Sequence, residues 1–86
     1  MSEPDPKSWL VVEPGWKVFA KDGSEVGKVH ETLGDKERDI FDGLAVSTGL
    51  LSRRTYVPAE DVGEIREGEI HLELGSDAVA ALESLD

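Results

Sequence analysis

Two groups of residues in this chain have types and spacings that could do chemistry. In the first, Glu69, His71 and Glu73 alternate with apolar residues, so on a strand their side chains share one face. An imidazole between two carboxylates is a donor set for zinc or calcium. Strand geometry, however, sets successive members of the three about 7 Å apart and the outer pair about 13 Å apart. His30 and Glu31 fall on opposite faces by the same alternation and add no third ligand. No His-x-x-x-His pair or clustered Asp of a calcium loop is present. A solvated polar face is the better reading, so no metal and no cofactor is assigned; Glu69, His71 and Glu73 remain the secondary candidate.

The second group is Leu50, Leu51, Arg53 and Arg54, within the stretch from Thr48 to Pro58. The window from Gly43 to Ala59 holds no carboxylate, in a chain with 19 Asp and Glu among 86 residues. Leucines supply surface that a partner can desolvate, and arginines supply paired donors for carboxylates. The partner this suits is another protein or a second copy of the chain, whose remaining surface is rich in carboxylates. The plainer reading is a hairpin whose leucines fold back over one end of the body. Trp9, beside Leu10 and Val11, joins the candidate contact set because an exposed indole is a strong interface anchor.

Catalytic chemistry finds no footing. The chain has no cysteine, and neither histidine has a serine partner in a nucleophile motif. The Gly23-x-x-x-Gly27 spacing lacks the Gly-Lys-Ser/Thr ending of a phosphate loop. No catalytic residue is assigned, and an enzyme is not expected.

Short strands and turn signals must position these groups. Residues 1–14 read as an N-terminal tail, partly ordered, in which Trp9 to Val12 could dock as a short edge strand. Trp16, Val18 and Ala20 alternate with Lys17, Phe19 and Lys21 in a first, half-buried strand, and Asp22-Gly23 is a hairpin turn. Glu25 to Leu33 returns, with Gly27 marking a bulge or bend. Ile40 to Ser47 follows; Asp42 falls on its apolar face, which predicts a bulge near Asp42-Gly43. Arg54 to Val57 pairs back and Pro58 ends it. Val62 to Arg66 and Glu69 to Leu74 form the last hairpin about Glu67-Gly68. The period then changes, and Ser76 caps a helix over 76–85 with Ala78, Ala81, Leu82 and Leu85 on one stripe.

Net charge is −10, with −5 in the body from Gly15 to Gly75. Such a surface repels phosphate backbones and disfavours nucleic acid as a partner. No run approaches the roughly 18 apolar residues of a membrane span, and no membrane span is expected. The expected compartment is the cytoplasm. A chain of this size forms one thin core.

In order and spacing, Gly15-Trp16-Lys17-Val18, Asp22-Gly23, Gly27-Lys28-Val29, Leu44-Ala45-Val46 and Val57-Pro58-Ala59-Glu60-Asp61-Val62 resemble the PRC-barrel superfamily. The match covers about residues 15 to 75. The Gly49-Leu50-Leu51 and Arg53-Arg54 loop is similar to that of small stand-alone members. The resemblance implies a compact β-barrel, the fold used in photosynthetic reaction-centre H subunits and in a ribosome maturation factor. In those settings it contacts proteins and does not catalyse.

The expected architecture is all-β, a small antiparallel β-barrel of about six strands with a short C-terminal α-helix. Residues 15–86 would form the PRC-barrel-like domain. The expected function is a non-enzymatic protein-interaction or scaffold module that self-associates as a homodimer. The alternatives are an RNA- or ribosome-associated factor, by analogy with the maturation barrel, and a metal- or small-ligand-sensing barrel.

Overall fold

A computed structural model of the chain describes residues 9–48 and 53–82. Strands β1 (Lys17–Phe19), β2 (Glu25–Asp35), β3 (Ile40–Thr48) and β4 (Arg53–Pro58) form an antiparallel meander. Strands β5 (Val62–Arg66) and β6 (Glu69–Leu72) form a hairpin, followed by helix α1 (Ser76–Ala80). The two parts join through β1 and β6, giving one six-stranded sheet in the order β4-β3-β2-β1-β6-β5. The all-β expectation holds. The antiparallel barrel does not: the β1–β6 ladder is parallel, and no ladder joins β4 to β5 among the described residues.

The reason lies in one connection. Directions alternate from β1 to β4, while β6 runs with β1 and β5 runs against it. Strands β4 and β5 therefore share a direction, and Ala59–Asp61, a 3₁₀ turn, carries the chain onward without reversing it. A hairpin there would have made the sheet wholly antiparallel. Pro58 supplies no N–H for such a turn to use.

This short link also coils the sheet. Six strands laid flat would set the outer two about 24 Å apart. The four residue steps from Pro58 to Val62 span at most about 14 Å. The edges must approach one another at that end, so the sheet wraps round its core without closing.

Inside the wrap, Val29–Val46–Thr55, Leu44–Val57 and Val18–Ile70–Ile65 stand opposite one another in cross-strand rows. Val18, Leu44, Val46, Val57 and Ile70 are fully buried. Gly27 sits where a Cβ would collide with the Ser47 carbonyl oxygen, so the close approach of β2 and β3 there needs glycine. Asp42 is the residue skipped in the β2–β3 register, which passes from Leu33↔Gly43 to Gly34↔Phe41. This is the bulge expected from its polar side chain on an apolar face. It also turns Ile40 outward, 54% exposed, away from the face of Leu44 and Val46.

Helix α1 docks through Val79, which is buried, and Leu82 just beyond it, which packs against the core. Ala78 and Ala81 are exposed. The apolar stripe is thus one residue off its expected place, because the bulkier Val79 has more area to bury than alanine. Leu85 and the rest of the expected 76–85 span beyond Leu82 lie outside the described residues. The N-cap is Gly75, one residue earlier than expected. Ser76 is otherwise engaged: its hydroxyl donates to Asp22 Oδ2 at 2.9 Å, tying the helix to the β1–β2 turn.

Candidate protein-contact surface

Of the expected contact residues, Leu50 and Leu51 lie outside the described residues. Arg53 opens β4 opposite Thr48. Arg54 is exposed on that strand opposite Ser47, and its Nη1 lies 3.5 Å from Nε2 of His30 on β2. Alternation along β4 buries Thr55 and Val57 and turns Arg54 and Tyr56 outward. The Tyr56 hydroxyl donates to the Asp42 carbonyl at 3.1 Å, fixing the ring across the bulge.

Trp9 is not on the surface. It opens a 3₁₀ turn, Trp9–Val11, and is only 8% exposed. Its ring stacks on Phe41 at 5.0 Å with an 18° interplanar angle, and its indole N–H donates to Asp39 Oδ1 at 2.7 Å. Both halves of the side chain are satisfied within the fold, which makes it an anchor for the segment ahead of β1. Val12 is buried with it, whereas Leu10 and Val11 point outward.

Glu69, His71 and Glu73 do not converge. His71 Nε2 meets Glu69 Oε1 at 3.0 Å, and the imidazole stacks on Phe19 with centroids 5.2 Å apart. The Glu73 carboxylate instead lies over Gly63 on β5. Among the described residues no three His, Asp or Glu side chains are grouped to hold a metal ion.

Among the described residues, Asp22 is a carboxylate whose titration the fold shifts. The Ser24 hydroxyl, the Ser24 backbone N–H and then the Ser76 hydroxyl all donate to it, holding its pKa far below the usual carboxylate range. This is a structural clasp between the first hairpin and α1. Under that helix lies a cleft of about 340 Å³ whose lining includes Val26, Thr55, Val79 and Leu82.

What sequence reasoning missed is a row. Arg54 stands opposite Ser47, Ser47 opposite Lys28, Lys28 opposite Lys17, Lys17 opposite Glu69, and Glu69 opposite Arg66. Directly opposed residues share a face of the sheet. One line across all six strands therefore carries four of the chain's nine Lys and Arg side chains. No protein-family model and no curated protein matches this chain. Its surface chemistry is accordingly read from its own residues.

No described helix is long and apolar enough to cross a membrane.

Proposed function

We propose that this chain is a non-enzymatic protein-interaction module that works in the cytoplasm and makes its contact through β4 and the two arginines, Arg53 and Arg54, that open it. A second copy of the chain is one partner. The observation that carries the reading is the place of β4 in the sheet. It is an outer strand, and among the described residues no strand lies beyond it. An outer strand accepts another strand through backbone hydrogen bonds, and two copies of β4 meeting about a two-fold axis would form a self-complementary contact. Arg54 on its outward face adds donors for the carboxylates that dominate the rest of the chain. The resemblance to the PRC-barrel superfamily points to the same class of work, since contact with other proteins is what that resemblance implies.

The test is solution mass by light scattering, at low and high salt, for the wild type and for Arg53→Glu with Arg54→Glu. Circular dichroism checks that both are folded. A wild-type dimer that the double reversal dissociates supports the proposal. A wild type that is monomeric at every concentration and salt overturns self-association.

A further inference from the structure

We propose that the cleft beneath α1 is a binding site for a small neutral aliphatic molecule with one hydroxyl or carbonyl group, and that Thr55 holds that group. The site is separate from the contact proposed for β4, because Thr55 faces into the fold while Arg54 faces out.

One core position carries a hydroxyl. Thr55 completes the cross-strand row Val29–Val46–Thr55 and is only 6% exposed. Its hydroxyl makes no hydrogen bond with another described residue. An unpaired hydroxyl inside a fold is destabilising, and valine has nearly the same shape without that cost. Valine holds the other two positions of this row, so folding alone favours valine at the third. Thr55 instead lines the cleft, where its hydroxyl can meet a ligand.

The rest of the lining sets the ligand's chemistry. Val26 on β2, Val79 on α1 and Leu82 just beyond it supply aliphatic surface, and no ring or charged side chain lines the cleft among the described residues. Thr48 and Ser76 add hydroxyls, but both already carry interactions, Ser76 with Asp22 at 2.9 Å. Thr55 is thus the described lining residue whose polar group is left to a ligand.

Charge excludes the alternatives. The Asp22 carboxylate stands behind Ser76, and the chain carries a net charge of −10, so an anionic head group is repelled. A cation finds no carboxylate in the described lining to pair with. Size narrows the ligand further. At about 340 Å³ the cleft is at the small end of ligand sites, which run from about 300 to 1,000 Å³. An apolar cavity of about 150 Å³ takes benzene, so one about twice as large accommodates about eight to twelve non-hydrogen atoms.

The experiment is a titration of the full chain, labelled with nitrogen-15 and with carbon-13 at its methyl groups. The probes are 1-octanol, up to its solubility limit, and separately sodium octanoate at neutral pH. With octanol the methyls of Val26, Thr55, Val79 and Leu82 should shift together and saturably. Octanoate should bind at least about fivefold more weakly. Thr55→Val keeps the shape and removes the hydroxyl, so it should weaken octanol binding about three- to tenfold. Its urea midpoint should be unchanged or higher, whereas a hydroxyl kept for structure would lower the midpoint and leave binding alone. Val11→Ala, at an exposed position, should change binding less than about twofold. The absence of saturable shifts at the solubility limit overturns the proposal. Equal shifting of Leu10, Val11 and Ile40 does the same, because it marks general adsorption to apolar surface. Octanoate binding as tight as octanol, or octanol binding as tight to Thr55→Val as to the wild type, also overturns it. The light-scattering test of self-association shares no variant with this one, so either reading can fail while the other stands.

Discussion

Trp9 was a candidate for the surface and proves to be held inside, and replacing it separates those roles in numbers. A tryptophan side chain buries up to about 250 Å², and this one is 8% exposed. At about 25 cal/mol per Å² its burial contributes on the order of 4–6 kcal/mol, an upper bound because the unfolded chain already covers part of that area. The stack on Phe41 adds about 0.5–1.5 kcal/mol, and the hydrogen bond to the Asp39 carboxylate about 1.5–3 kcal/mol. Alanine retains little of this, and the surroundings relax in part, so Trp9→Ala should lose about 3–5 kcal/mol. That is a large share of the roughly 4–13 kcal/mol expected of a domain this size. Trp9→Phe keeps a ring against Phe41 and loses the N–H, so it should lose about 1–3 kcal/mol. Urea denaturation followed by far-ultraviolet circular dichroism gives both values. A double-mutant cycle with Asp39→Ala isolates the hydrogen bond. A loss below about 1 kcal/mol for Trp9→Ala would refute the anchor role, since a residue kept for a partner leaves the free protein's stability nearly unchanged.

Three further outcomes follow from the same geometry. Gly27→Ala and Gly43→Ala would each drive a methyl into a carbonyl oxygen of the adjoining strand, Ser47 and Val57 respectively, and should destabilise by about 1–3 kcal/mol or more in urea melts. Gly75→Ser should instead stabilise by a few tenths of a kcal/mol, because the N-cap has extended geometry, open space and no side-chain acceptor; a drop in midpoint would contradict the capping argument. Because folding lowers the Asp22 pKa, its contribution is complete above the unfolded-state value of about 3.9 and is lost as pH falls below it. Asp22→Asn should therefore show a shallower decline in stability between about pH 4 and pH 2 than the wild type, and parallel curves would remove the clasp.

Much of the local structure was legible because it is written in neighbours. Glu69 to Leu74 alternates cleanly and carries β6 over Glu69–Leu72, and Asp22-Gly23 turns with Gly23 at φ 91°. Asp42 announced its bulge by placing a carboxylate in an apolar register. The parallel meeting of β1 and β6 was not legible, because it depends on whether Ala59–Asp61 reverses the chain, and three residues after a proline are compatible with either. The cationic row was hidden for the same reason. Lys17, Lys28, Arg54 and Arg66 are scattered in sequence, and only the register of six strands puts them in line. Trp9 was misread because its partners, Asp39 and Phe41, lie some thirty residues away. Asp39 also adopts a left-handed conformation, φ 55°, that no periodicity foretells.

The parallel β1–β6 ladder also has a bearing on how the chain comes together in time. Every other ladder joins strands adjacent in sequence, while this one brings residues 17–19 to residues 69–71. Local hairpins form in about 1–10 microseconds, but a ladder that must first close a long loop gives up chain entropy before any contact compensates for it. The meander and the β5–β6 hairpin are thus natural early units, and their docking along β1 is the slow step. Disturbances of the β1–β6 ladder, and of the β3–β4 pair that precedes it, should act chiefly on the rate of folding, while contacts completed only after docking should act chiefly on the rate at which the finished protein opens.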